Sequence, residues 1–186
     1  LDHLKEELLW AREAAVETVR WVAGFDFPDF PQDYDFVALR PSGEYPFNEG
    51  PILSGGGLKI AATEFEQHFR EEQAPYSTAL QCRLHGASYV VGPLARLNLN
   101  RDHLTSLSQQ VLVETGLPLP LCNPFHAIVA RSVEILYAID ETLRIIDGYE
   151  PPASPSVPVV PRAGTGMACT EAPRGMLYHR YRVDDD

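Results

Sequence analysis

Asn123-Pro124-Phe125-His126-Ala127-Ile128-Val129-Ala130-Arg131-Ser132-Val133-Glu134-Ile135-Leu136-Tyr137-Ala138-Ile139-Asp140-Glu141-Thr142-Leu143-Arg144-Ile145-Ile146-Asp147-Gly148 is the stretch whose reading decides the fold. Asn123 is a side-chain cap and Pro124 suits the first helical position. Phe125, Ile128, Val129, Val133, Leu136, Ile139, Leu143 and Ile146 recur every three or four residues and mark one apolar stripe. Gly148 closes the helix. About 24 residues at a rise of about 1.5 Å give roughly 36 Å, which makes this helix a pillar that needs neighbours.

The neighbours lie on both sides. Leu1, Leu4, Leu8, Ala11, Ala15, Val19 and Val22 form a second stripe, predicting a helix to about Ala23 that stops at Gly24. A third helix is predicted from about Arg101 to Glu114, stopped by Gly116 and Pro118. Between them Phe25 to Pro31 is a proline-punctuated aromatic loop. Short strands are read at Phe36–Leu39, Pro51–Ser54 and Leu58–Ile60. Thr63 and Glu66 have the spacing of a capping box for a helix that carries Phe65 and Phe69 and ends before Pro75. Leu80–Leu84 and Ser88–Val91 are read as a hairpin around His85-Gly86. Residues 151–161, rich in proline, form an extended connector. The expected fold is α+β, predominantly helical, with long central helices packed as a bundle and short strands at the periphery. Residues 1–150 form the helical core, and 151–186 the connector and a loop of active-site type, together part of one larger domain.

Composition limits the function. The 186 residues are 45% apolar and 22% charged, which is globular. Fifteen Lys+Arg stand against 26 Asp+Glu, a net charge of −11 that argues against a nucleic-acid partner. No run is long and apolar enough for membrane insertion, no signal peptide is visible, and a cytoplasmic location is the expectation. Cys82, Cys122 and Cys169 form no CxxC pair, so neither a disulfide framework nor a self-contained metal site is supported. The first helix begins in mid-pattern. The strand-like run Tyr181–Val183 before Asp184-Asp185-Asp186 has no visible partner, so the chain reads as a segment of a longer polypeptide.

Cys122 and His126, four apart at a helix start, could pair as nucleophile and base, but no orienting third group is identifiable and buried structural roles are the plainer reading. His68, His85, His103, His126 and His179 have no metal-ligand spacing. Arg174 is different. Proline restricts the backbone before it and glycine frees the backbone after it, so a planar fork of donors stands on a short, stiff loop. It is either a functional cation or a structural partner of Glu171 or another acidic neighbour.

Glu171-Ala172-Pro173-Arg174-Gly175-Met176-Leu177-Tyr178-His179 resembles the EAPRGxLxH motif of nickel–iron hydrogenase large subunits. Tyr89-Val90-Val91-Gly92-Pro93-Leu94-Ala95-Arg96-Leu97-Asn98, and Asn123-Pro124-Phe125 leading into Val133-Glu134-Ile135-Leu136-Tyr137, resemble the cytoplasmic heteromultimeric branch of that family. The resemblance covers nearly the whole chain. It implies reversible heterolytic cleavage of dihydrogen at a nickel–iron centre with CO and cyanide ligands. The electron partner it implies is an iron–sulfur small subunit, with NAD(P)-linked subunits beyond. The family holds nickel with two CxxC pairs. Neither is present here, so no metal ligand is carried over, and the chain is expected to be an internal segment, inactive alone. By the same resemblance Arg174 and Pro173 are the catalytic loop, and Ala172 and Leu177 line the pocket. The competing readings are the metal-free catalytic-core subunit of respiratory complex I, whose equivalent loop has lysine where Arg174 stands, and a plain interaction scaffold.

Overall fold

The structure is a computed structural model that describes residues 1–184; Asp185 and Asp186 of the acidic end lie outside the described residues. Five helices and seven strands follow in the order α1 (Asp2–Ala23), β1 (Val37–Leu39), β2 (Ile52–Ser54), β3 (Lys59–Ile60), α2 (Phe65–His68), β4 (Phe69–Gln73), β5 (Leu80–Leu84), α3 (Pro93–Asn100), α4 (Ser106–Glu114), α5 (Ala127–Asp147), β6 (Gly164–Ala172) and β7 (Gly175–Val183). Three short 3-10 turns, at Ala62–Glu64, Arg101–His103 and Pro124–His126, lead into or out of helices. This is the mixed helix-and-strand architecture expected.

The pillar forms as its spacing dictates. Asn123 accepts from the Phe125 amide, Pro124 opens a 3-10 turn, and α5 then runs unbroken to Asp147. It packs against α1, α3 and α4. Val129, Val133 and Leu136 are fully buried, whereas Phe125 and Ile128 at its start lie 46% and 40% exposed. The same holds in α1. Ala15, Val19 and Val22 are buried, but Leu1, Leu4, Trp10 and Trp21 are exposed, so only the C-terminal half of the stripe is covered.

Strand β1 divides the interior. Phe36 and Ala38 face the helical cluster with Val129, Val133 and Leu136. Val37 and Leu39 face a second cluster with Ile52, Phe65, Phe69 and Cys169. A strand buried on both faces reads as a continuous apolar run rather than an alternating one, which is what Phe36-Val37-Ala38-Leu39 is. One edge of β1 pairs antiparallel with β2, and β2 with β3. Among the described residues no strand pairs with the other edge. Its backbone groups are met singly: Val37 donates to the Val90 carbonyl, Leu39 donates to the Glu171 carboxylate, and the Asn100 amide donates to the Leu39 carbonyl. Buried backbone groups require such partners, and here they come from three distant segments.

Four local expectations change. The helix after Thr63 is only Phe65–His68, and its box lies two residues earlier, with Glu64 accepting from the Ala61 amide. Residues 69–73 are instead strand, paired with β5 from Phe69↔Leu84 to Gln73↔Leu80. Arg83, which faces Arg70 across the ladder, reaches diagonally to pair with Glu72. His85-Gly86 does turn the chain, at φ 50° and 81°. Ser88–Val91, however, does not return along β5; Val90 bridges parallel to Phe36. Gly92-Pro93 starts a helix, α3, because proline at the first helical position needs no donor. Accordingly the expected helix from Arg101 begins only at Ser106, capped by Thr105, whose hydroxyl accepts from the Ser108 amide at 3.3 Å. Tyr181–Val183 is not a lone strand either. It is the end of β7, paired with Gly164–Gly166 of β6.

Candidate active site

The loop around Arg174 is the tip of a long hairpin. Strands β6 and β7 pair in unbroken register from Gly164↔Val183 to Ala172↔Gly175, leaving Pro173-Arg174 as a two-residue turn. Alternation sorts the side chains. Cys169, Glu171, Met176 and Tyr178 face the β1 cluster. Thr170, Ala172, Leu177 and His179 belong to the opposite face. Ala172 and Leu177 thus share the outward face, with Leu177 48% exposed, and Pro173 and Arg174 stand at its end, both exposed. The structure brings together all four residues singled out by resemblance.

The turn is built against α3. A Cβ on Gly92, which has φ +86°, would lie 2.8 Å from the Arg174 carbonyl oxygen. A Cβ on Gly175 would lie 2.5 Å from Cγ2 of Val91. Each glycine lets one backbone run against the other, and neither position has room for a side chain.

Beneath the turn lies the feature that sequence reasoning missed. Arg96, on α3 and only 4% exposed, uses all five of its N–H donors. Nε and one terminal nitrogen grip the two oxygens of Glu134 on α5, at 2.7 and 2.9 Å. The other terminal nitrogen donates to Glu171 at 3.0 Å and to the Ala172 carbonyl at 2.7 Å. The last donor reaches the Pro173 carbonyl at 3.2 Å. Glu171 also accepts from the Leu39 amide at 2.8 Å, and the Tyr45 hydroxyl donates to Glu134 at 2.8 Å. A bidentate arginine fork is the group that suits such a joint.

The electrostatics follow from burial. Desolvation works against the Arg96 charge, but the hydrogen bonds and charges of Glu134 and Glu171 outweigh it and raise its pKa. Burial raises the Glu171 pKa, opposed by the Leu39 amide and by Arg96. Burial and then Glu134 hold the Tyr45 hydroxyl well above its usual range. Glu171 is therefore engaged inward, and the structural alternative for Arg174, pairing with Glu171, is not what forms. Arg174 makes no ion pair or side-chain hydrogen bond among the described residues.

The remaining candidates are structural. Burial pushes the Cys169 thiol up to about 11, which removes it as a thiolate near neutral pH. His126 is buried edge-on against Phe27, 5.5 Å between centroids, and burial lowers its pKa. Its Nδ1 has no partner, so no Cys122–His126 pair is formed through that atom. His68 and His85 hydrogen-bond to each other at 2.8 Å. Among the described residues no three His, Cys, Asp or Glu side chains gather as a metal site.

Known proteins are similar to this sequence. The chain is 25% identical over 189 residues to the alpha subunit of sulfhydrogenase 1 from Pyrococcus furiosus, a match over 100% of this chain and 44% of the relative. It is 32% identical over 156 residues to a chain of the vhu F420-non-reducing hydrogenase from Methanococcus voltae, covering 81% of this chain and 35% of that one. Its homologues are hydrogenase subunits. The hydrogenase-like chain also has the fold of a solved hydrogenase: the Ni-Fe-Se enzyme of D. vulgaris Hildenborough superposes with a TM-score of 0.53 at 18% identity, over 99% of this chain and 46% of that one. The beta subunit of the NAD-reducing hydrogenase HoxS from Cupriavidus necator matches at 32% over 111 residues, 51% of this chain and 21% of the relative. No family model matches. The chain spans less than half the length of the hydrogenase relatives it matches first. These relatives bear out the family resemblance carried by the three motifs. No helix is long and apolar enough to cross a membrane among the described residues.

The hydrogenase motifs meet in space. Gly92 and Arg96 come from the second, Glu134 from the third, and Glu171 to Gly175 from the first; they join at one guanidinium. The signal available in sequence was an arginine among Leu94, Ala95 and Leu97, a charge placed inside an apolar helical run. Such a charge must be paired where it is buried.

Proposed function

We propose that this chain is part of a hydrogenase large subunit that carries out reversible, heterolytic cleavage of dihydrogen, with electrons passed to an iron–sulfur small subunit. The observation that carries this reading is the convergence of the three motifs on Arg96, with Arg174 left unpaired at the tip among the described residues. An arginine kept from ion pairs on a fixed turn has its donors available for something outside the chain. Residues 1–150 and 151–186 act as parts of one larger domain, in the cytoplasm. The HoxS relative, named as NAD-reducing, supports NAD(P)-linked subunits further along the electron path.

The described residues do not fit the role of metal ligands, since no cluster of His, Cys, Asp or Glu gathers. They fit the role of a cover over a nickel–iron centre. Arg174 offers a planar fork of donors suited to anionic cyanide ligands, while Pro173, Ala172 and Leu177 present apolar surface. In the complete subunit such a centre, with CO and cyanide ligands, supplies the dihydrogen chemistry. Arg174 holds a permanent positive charge at the tip. In the complete subunit Leu177 and Pro173 would add apolar cover beside it, and a site closed to water strengthens electrostatic contacts. A guanidinium is a poor base, so orientation and charge are its tasks rather than proton storage.

The test is metal and activity analysis of two preparations. The complete subunit with its iron–sulfur partner is expected to hold nickel and to reduce a viologen dye with dihydrogen. The isolated chain is expected to do neither. Nickel held one-to-one by the isolated chain would overturn the covering role, and a nickel-loaded complete enzyme without dihydrogen turnover would overturn the function.

A further inference from the structure

We propose that Arg96 is the positioning residue for Arg174: it sets where the catalytic guanidinium stands by clamping the two peptide units that lead into it. This rests on the reading of Arg174 given above. The two carbonyls that Arg96 grips belong to Ala172 and Pro173, the residues immediately before Arg174. The peptide unit after Arg174 lies against Gly92, where even a Cβ would meet its oxygen at 2.8 Å. The backbone of Arg174 is thus held from below on one side and against α3 on the other. A hairpin tip without such contacts can exchange between turn geometries, and the side chain on it would follow.

Arg96 is itself fixed from elsewhere. Both oxygens of Glu134 hold it to α5, and Glu171, whose other oxygen is bound to the Leu39 amide, holds it to β1. The turn is therefore referenced to the pillar helix and the central strand. The chemistry requires arginine and not merely a cation. Five donors in one plane meet two carboxylates and two carbonyls together. A lysine ammonium has three donors at one point and can neutralise the carboxylates without reaching both carbonyls. Charge compensation and turn clamping are separable in this way.

The experiment is Arg96→Lys in the complete, nickel-loaded enzyme, alone and combined with Arg174→Lys. Amide exchange of the segment 172–176 is read beside turnover per nickel. The clamp predicts exchange at the tip faster by about tenfold or more, with α5 unchanged. It predicts a loss of turnover of about tenfold in the parent background, and less than about twofold in the Arg174→Lys background, because Arg96 acts through Arg174. Equal losses in both backgrounds, or wild-type exchange at the tip, would overturn the proposal. Wild-type turnover in Arg174→Lys alone would instead remove the catalytic reading of Arg174, and exchange at the tip would still decide whether Arg96 clamps it. Where Arg96→Lys does not fold, Glu134→Gln, which keeps shape and one acceptor, carries the same exchange measurement and the same cycle.

Discussion

Arg174→Lys in the complete, nickel-loaded subunit is expected to lower dihydrogen oxidation per nickel by about 10²–10³, with nickel content and melting temperature close to those of the parent. Removing one preorganised donor from a site where charge develops has an effect of that size. The structure explains why stability should hardly change. Arg174 is exposed, makes no ion pair among the described residues, and its backbone is held by Arg96 and Gly92 whatever its side chain is. Lysine keeps the charge but not the planar fork. A structural role predicts the opposite pattern, a lowered melting temperature with unchanged turnover per nickel, and that pattern would return Arg174 to scaffolding.

The second large effect falls on stability. Arg96→Met is expected to destabilise the chain by about 3–5 kcal/mol, the usual size when one partner of a buried ion pair is removed and the other is left uncompensated. Here two carboxylates are left, Glu134 and Glu171, with side-chain exposures of 14% and 3%. At roughly 2–4 °C per kcal/mol for a domain of this size, the melting temperature should fall by about 6–20 °C. Adding Glu134→Gln should recover part of the loss, since it removes one of the unpaired charges. Glu171 gives the sign of the pH dependence. Burial raises its pKa in the folded chain, so folding favours the protonated form. That contribution is complete below the ordinary carboxyl range and is lost as the pH rises through the raised value. Without Arg96 the raising is larger, so the variant should be more stable in mild acid than at neutral pH. A melting temperature within about a degree of the parent at pH 7 would mean that water reaches these carboxylates and that the joint is not buried.

Much of this was legible in local pattern. The α1 and α5 stripes, the Asn123-Pro124 start and the glycine stops are set by spacing within one turn or two, and the structure has them at the expected places. What misled were segments whose partners are remote. Phe69-Arg70-Glu71-Glu72-Gln73 is as good a helix as a strand by composition, and becomes strand because Leu80–Leu84 lies beside it. Gly92-Pro93 punctuates the chain either way, and only the α3 packing decides that it opens a helix. The site divides along the same line. Ala172, Pro173, Arg174 and Leu177 could be singled out as candidates because they sit in one short motif that resembles a family's. Arg96 was inside a quoted motif yet had no role assigned, because its partners lie 38 and 75 residues away. No spacing rule connects a helix, a second helix and a hairpin tip. An arginine between Leu94, Ala95 and Leu97 signalled a buried pair without naming the partner.

The central claim is that the hairpin tip presents the Arg174 guanidinium to the metal centre of the complete subunit. Pulsed electron–nuclear double resonance on a paramagnetic nickel state, with arginine alone labelled with nitrogen-15, tests this directly. The account predicts a guanidinium nitrogen coupling that disappears in Arg174→Lys while the nickel signal itself is kept. No arginine coupling in the parent enzyme, or a coupling that survives Arg174→Lys, would contradict it.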